Sequence, residues 1–141
     1  MAVQVEYGFV AEAADAQAGL FYVVRGGSDI WSVNTDARFP LPIGPVSFLL
    51  RLVGEPPEVG KDLPLDFMIV DADGRSLGVQ GSAEISFSPH PIDRTRTSGA
   101  LLHFRLGFEV PAPGAYFFEL HHLGHRLCQV PFWIIAGSSS G

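Results

Sequence analysis

Apolar and polar residues alternate with a period of two along much of the chain, which is the pattern of strands with one buried face. The clearest example is 101–110, where every second residue from Leu102 to Val110 is apolar, and segment 77–87 alternates in the same way. We predict about eight strands on this basis. The others lie near 3–13, 19–25, 46–53, 63–70, 115–123 and 125–135, with a short stretch at 30–33 continuing the second.

Turn and loop residues separate these segments. Asp71-Ala72-Asp73-Gly74 has the composition of a tight turn, and Leu123-Gly124-His125 joins the last two strands as a hairpin. The alanine-rich segment 10–18 has helical propensity, but it is short and uncapped, so we predict the end of a strand followed by a turn. Three segments rich in proline, glycine or polar residues are predicted loops: 34–45, 54–62 and 88–99.

These elements predict one all-β domain over 1–137 with no substantial helix, followed by a flexible tail at 138–141. Many short strands separated by regular turns are typical of a sandwich or a barrel. Tyr116 favours a two-sheet antiparallel sandwich of the immunoglobulin-like kind, because it directly follows the Pro113-Gly114-Ala115 turn. A tyrosine at such a corner donates its hydroxyl to a nearby backbone carbonyl in those domains.

The chain also resembles a group of small bacterial immunoglobulin-like proteins of unknown function. The likeness consists of a Pro-rich loop leading into an apolar strand that ends in arginine, an Asp-x-Asp-Gly hairpin, and Pro-Gly-x-Tyr and Pro-Phe closing strands. In this chain the matching segments are Phe39 to Arg51, Asp71 to Gly74, Pro113 to Tyr116 and Pro131-Phe132. The resemblance implies the same fold, and it implies no activity and no catalytic residue.

The net charge and the apolar runs of the chain limit which partners and which location we expect. The 141 residues carry a net charge of −6, which predicts no nucleic-acid and no anionic-membrane partner, since both need a clustered positive surface. The first residues lack the basic and apolar regions of a signal peptide, and no apolar run approaches about 20 residues. We therefore expect a cytoplasmic protein that does not enter a membrane.

No catalytic motif is recognisable, so we expect neither an enzyme nor a cofactor. The densest group of metal-ligating residue types is the hairpin containing His121, His122 and His125. Adjacent strand residues point to opposite faces, so His121 and His122 cannot both bind one ion. A metal site on His121 and His125 is the alternative to solvated histidines, and it needs a third ligand from elsewhere. Cys128 shares the inward parity of its strand and is predicted to be an inert buried thiol.

Several strands are apolar on both faces, although only 17% of the residues are charged, against about 25% in an average domain. If Phe48 and Leu50 point into the core, for example, Leu49 points away from it. We predict that this second apolar face packs against another chain, most simply in a homodimer. The residues assigned to this interface are Phe21, Val23, Leu49, Met68, Val70, Leu127 and Trp133.

The alternative function is binding of a small molecule or a carbohydrate. Loops 34–45, 54–62 and 88–99 would form its site at one end of the sandwich. The predicted contacts are Phe39, His90, Arg94 and Arg96.

Overall fold

The computed structural model of the chain describes residues 3–17, 20–27 and 29–137, and the predicted tail at 138–141 lies outside them. This part of the chain forms nine strands and a single turn of 3-10 helix at Pro56–Glu58. None of its helical structure is long and apolar enough to cross a membrane. The strands are β1 Val3–Gln17, β2 Leu20–Gly26, β3 Ile30–Val33, β4 Leu41–Gly54, β5 Asp62–Asp71, β6 Ser76–Ser86, β7 Ser98–Val110, β8 Gly114–His122 and β9 His125–Ala136.

The strands form two sheets, in the order β2-β1-β4-β7 and β3-β9-β8-β5-β6. This arrangement confirms the prediction of a nearly all-β, two-sheet fold. All strand pairs are antiparallel except β3 with β9, where Ile30 is opposite Trp133 in parallel register. The first two strands thus belong to one sheet and the third to the other.

The core between the sheets is rich in phenylalanine. Phe48 of β4 stacks on Phe118 of β8 with ring centroids 4.7 Å apart, and Phe132 of β9 lies 5.6 Å from Phe48. Phe67 and Phe104 extend the same group of rings. Inward-facing residues of strands from both sheets therefore meet in one aromatic layer, as the alternating pattern predicted.

Two strands extend at least four residues beyond the bounds predicted from the sequence pattern. β1 continues to Gln17, so the alanine-rich segment remains in the strand where a strand end followed by a turn was predicted. β4 begins at Leu41 instead of 46, although Pro42 and Pro45 lie in this part. Its register against β7 shifts between Ile43 and Val46. Prolines are tolerated in strands at such irregularities, which explains why a segment read as a loop is extended and paired.

The predicted apolar outer face is interrupted. Leu49 is fully buried between Phe9 of β1 and His103 of β7, which flank it in register, and Val70 is buried beside Phe117 of β8. Neighbouring strands of the same sheet cover these two side chains, so neither belongs to an exposed face. Of the other predicted interface residues, Met68 and Leu127 are half-buried, Val23 and Trp133 are exposed, and the side chain of Phe21 lies outside the described part.

The tyrosine corner is present as predicted. The Tyr116 hydroxyl donates a hydrogen bond to the backbone carbonyl of Ala112, across the turn between β7 and β8. The ring is buried and stacks on Phe132, with centroids 5.8 Å apart. Burial raises the pKa of the Tyr116 hydroxyl, so it stays protonated and available as a donor.

Tyr116→Phe is expected to lower the free energy of unfolding by about 1 kcal/mol, because the ring packing is kept while the hydrogen bond is lost. Chemical denaturation with urea measures this change. Tyr22→Phe is the matched control, since Tyr22 is largely exposed, and its stability should match that of the wild type. Equal stability of Tyr116→Phe and the wild type would show that the corner contributes nothing.

Candidate functional site

The two ends of the sandwich carry different loops. β4 has 14 residues, so roughly 45 Å separate the segment that precedes it from the segment that follows it. Phe39 therefore lies at one end, where it packs against the core, and loops 54–62 and 88–99 lie at the other. The prediction that all three loops share one ligand site is wrong for this geometric reason. Of the four predicted contacts, His90, Arg94 and Arg96 lie together at the end of the sandwich where β4 ends.

A cleft of about 610 Å³ lies at that end, between the loop after β6 and the outer surface of β1, β4 and β7. His90 and Arg96 contribute to its wall, and Arg94 does not. Its lining residues are Glu6, Arg51, Val53, Ser88, Pro89, His90, Pro91, Arg96, Thr97, Ser98 and Gly99. Sequence reasoning thus identified two members of this wall and missed the contributions of the strands.

Arg51 is the central charged residue of the cleft. It is outward-facing on β4, and its guanidinium donates a hydrogen bond to the Glu6 carboxylate. The guanidinium lies against Gly99 of β7, so closely that a Cβ atom there would be 2.4 Å from one of its nitrogens. The missing side chain at Gly99 is therefore what allows Arg51 to lie in this position.

Hydrogen bonds between residues close in sequence order the loop that carries His90 and Arg96. His90 Nδ1 accepts from the backbone N–H groups of Ile92 and Asp93, at 3.2 and 3.1 Å. The ring proton of the neutral histidine is therefore on Nε2. Asp93 Oδ1 accepts from the Thr95 hydroxyl and backbone, and these bonds lower the pKa of the Asp93 carboxyl. Arg96 is held more loosely, with its Nε 3.6 Å from Asp93 Oδ2.

Ser98 forms part of the cleft wall where β7 begins, and it is almost completely buried. Among the described residues, no group forms a hydrogen bond with its hydroxyl. Leaving a buried hydroxyl unpaired costs about 1–3 kcal/mol, so such groups normally have a protein, water or ligand partner. Ser98 is on the same, inward side of β7 as Leu102 and Phe104, so its hydroxyl lies beneath the cleft wall and, like that of Ser47, cannot be reached from the cleft.

The histidines of the hairpin have different partners, and Glu119 is the partner of His121. His121 Nε2 is 3.0 Å from Glu119 Oε1, while His122 points to the opposite face and bonds the Pro64 carbonyl at 2.9 Å. His125 is exposed and pairs with His122 in the hairpin. Within the described part of the chain, no three His, Cys, Asp or Glu side chains are grouped so that they could hold a metal.

Glu119 itself is buried on the outer face of the five-stranded sheet. Its carboxylate accepts from Gln129 at 2.8 Å and is 3.4 Å from an Arg126 nitrogen. Burial alone would raise the pKa of Glu119, but the bonds from Gln129 and His121 and the charges of His121 and Arg126 outweigh it, and the pKa is lowered. This carboxylate is charged and fully engaged at neutral pH.

Three other side chains of reactive types, Ser47, His103 and Cys128, are packed within the fold. Ser47 and His103, on neighbouring strands β4 and β7, form a hydrogen bond of 2.8 Å that the sequence reading missed. Ser47 has only 1% of its surface exposed, so a substrate cannot reach its hydroxyl. Cys128 packs against the core as predicted. Burial raises the pKa of its thiol to about 11, which leaves very little of the nucleophilic thiolate at neutral pH.

Residues 6–135 match the model of DUF6941, a family of unknown function, and the chain belongs to that family. No curated protein matches the chain. Among solved structures, it is similar to the Pseudomonas fluorescens alkylpurine DNA glycosylase AlkC bound to DNA containing an abasic site analog. The identity is 13% and the TM-score 0.47, over 96% of this chain and 31% of that one.

That likeness corrects the prediction about nucleic acid. The net charge of −6 predicted no nucleic-acid partner, yet the similar structure is of a protein bound to DNA. The net charge alone does not exclude such a partner.

Proposed function

We propose that this member of DUF6941 is a non-enzymatic binding module that holds a small polar ligand in the cleft at the end of β4. The observation that carries the proposal is the guanidinium of Arg51, an outward-facing residue of β4, which lies in the wall of that cleft together with His90 and Arg96. A polar ligand seated there would accept hydrogen bonds from these donors.

The fold supports this role. We propose an immunoglobulin-like topology, in which β1, β4 and β7 would be strands A, B and E and β9, β8 and β5 would be strands G, F and C. The strand order and the Tyr116 corner support this assignment. Sandwiches of this kind bind through loops at one end, supported by rigid strands. In this chain Arg51 and Ser98 come from strands, while His90 and Arg96 come from a loop ordered by its own hydrogen bonds.

The cleft is also a better candidate than the apolar outer face. Leu49 and Val70 are buried within the chain, so neither of these predicted interface residues is exposed on that face. The cleft has the size of ordinary small-molecule sites, which are about 300–1,000 Å³. Its wall contains hydrogen-bond donors of three chemical types: guanidinium, imidazole and hydroxyl.

Arg51→Gln provides the test, because a residue that serves binding can be removed without loss of the fold. We expect the free energy of unfolding of the free protein to stay within about 1 kcal/mol of the wild type, since the ion pair of Arg51 with Glu6 is exposed. Thermal unfolding without ligand measures this. Arg94→Gln is the matched control, because Arg94 lies in loop 88–99 but outside the cleft wall.

The binding half of the test uses a library of polar metabolites, with backbone amide NMR shifts of residues 88–99 as the readout. Compounds that shift these amides in the wild type should shift them less in Arg51→Gln and equally in Arg94→Gln. Clear destabilisation of Arg51→Gln would mean that the guanidinium serves the fold. That result, or a library that leaves these amides unchanged, would contradict the proposal.

A further inference from the structure

We infer that the ligand of the cleft carries a carboxylate, which Arg51 binds in the place where it now binds Glu6. This inference rests on the proposed function and names the chemical class of its ligand. It follows from the position of Arg51, from the character of its pairing with Glu6, and from the absence of a second acidic side chain in the cleft wall.

Arg51 is positioned more firmly than an ordinary surface arginine. Two features fix it: its backbone belongs to β4, which is paired on both sides, and its guanidinium lies against the bare Cα of Gly99. A guanidinium presents five N–H donors in a planar fork that matches a carboxylate. One of its terminal nitrogens bonds Glu6, so further donors remain for an incoming group.

Glu6 shows which chemistry this position accepts. Its carboxylate occupies the Arg51 guanidinium, and it lies where the register of β1 against β4 shifts between Val5 and Tyr7. The Glu6 side chain is 53% exposed, against 35% for that of Arg51. Exposed ion pairs contribute little to stability, so a ligand can displace Glu6 into solvent at low cost. The arginine is thus the fixed partner and the glutamate the exchangeable one.

The remaining polar groups favour an anion as well. Arg96 and the Nε2–H of His90 are donors in the cleft wall. Among the described residues, Glu6 is the only acidic member of the wall, and Asp93 contacts Arg96 from outside it. When Glu6 moves away, two guanidinium groups face the cleft, and none of the other described wall residues carries a carboxylate.

The experiment is an NMR titration of the ¹⁵N-labelled protein at constant ionic strength with three probes. These are glutarate, its neutral diamide glutaramide, and inorganic phosphate. Glutarate should shift the amides of Ser98 and Gly99. Glu6→Gln should bind glutarate several-fold more tightly, because the competing carboxylate is gone, and Arg51→Gln should bind it at least about tenfold more weakly.

Two further variants separate position from charge. Gly99→Ala keeps every charge but places a Cβ where the Arg51 guanidinium now lies, so the guanidinium must shift, and we expect weaker glutarate binding with a smaller loss than in Arg51→Gln. Arg94→Gln removes a positive charge from the same loop but outside the cleft wall, and its affinity should stay within twofold of the wild type. Equal losses in Arg94→Gln and Arg51→Gln would indicate a general charge effect and overturn the inference. Circular dichroism checks that each variant is folded.

The probes distinguish failure of this inference from failure of the proposed function. If glutaramide shifts the cleft amides as strongly as glutarate, the cleft binds small molecules but not through a carboxylate, and only the inference falls. Tighter binding of phosphate than of glutarate at the same amides also overturns the inference alone. If these probes and the metabolite library all leave residues 88–99 unchanged, both proposals fall.

Discussion

Phe118→Ala is expected to lower the free energy of unfolding by about 3–5 kcal/mol, a large part of the stability of a domain of this size. Phe118 is fully buried and is the centre of the aromatic layer, where it contacts Phe48, Phe67 and Phe104 with ring centroids 4.7–6.1 Å away. Its removal leaves a cavity between two sheets that cannot close together, because the other rings hold them apart. Urea denaturation at neutral pH measures the loss.

Tyr22→Ala is the control for this substitution. It also truncates an aromatic residue in a strand, but Tyr22 is 57% exposed, so we expect a change below about 1 kcal/mol. A loss at Phe118 no larger than that at Tyr22 would show that the aromatic layer does not hold the sheets together. Intermediate losses at Phe67 and Phe104, which are half-buried, would instead agree with the packing described.

Glu119→Gln is expected to lower the free energy of unfolding by about 1–3 kcal/mol at neutral pH, because the charge-assisted bonds from His121, Arg126 and Gln129 are lost or weakened. The effect should depend on pH. The pKa of Glu119 is lower in the folded than in the unfolded chain, so its ionised form stabilises the fold at pH values above the unfolded pKa of about 4.3. That contribution is lost as the pH falls through the folded pKa.

The difference between wild type and Glu119→Gln should therefore be largest near neutral pH and shrink steadily below about pH 4. Denaturation curves at a series of pH values test this dependence. Glu84→Gln is the control, since Glu84 is an exposed residue of β6 in the same sheet, and it should leave the pH profile unchanged. A difference that stays constant down to pH 2 would contradict an electrostatic origin.

Most of the fold followed from local pattern. Alternation located the strands because each sheet has one face on a common core, and the turn at Asp71 to Gly74 and the corner at Tyr116 depend on neighbouring residues only. The parallel pairing of β3 with β9 was not predictable, since it joins Ile30 to Trp133 across about a hundred residues. The burial of Leu49 was missed for a related reason. Alternation along a strand tells which face of the sheet a side chain is on, but it does not tell how much of that side chain the adjacent strands cover.

The candidate site was predicted only in part. His90 and Arg96 were found because they lie together in one polar loop. Glu6 and Arg51 were missed because they are 45 positions apart and meet only through the pairing of β1 with β4. The sequence did contain one indication that Arg51 has a special role, because it is the single charged residue in the apolar run 46–53. The grouping of Phe39 with the other loops could have been rejected, because segments before and after one strand lie at opposite ends of it.

The direction of the first and last strands has a practical consequence for attaching the protein to a surface or a label. β1 starts at the end of the sandwich that carries the cleft, because Val3 pairs with Gly54, whereas β9 finishes at the opposite end, where Gly137 bonds Val33. An affinity tag attached before Val3 would lie near Glu6 and obstruct the opening of the cleft. Immobilisation through a tag behind Gly137 leaves that mouth facing the solution.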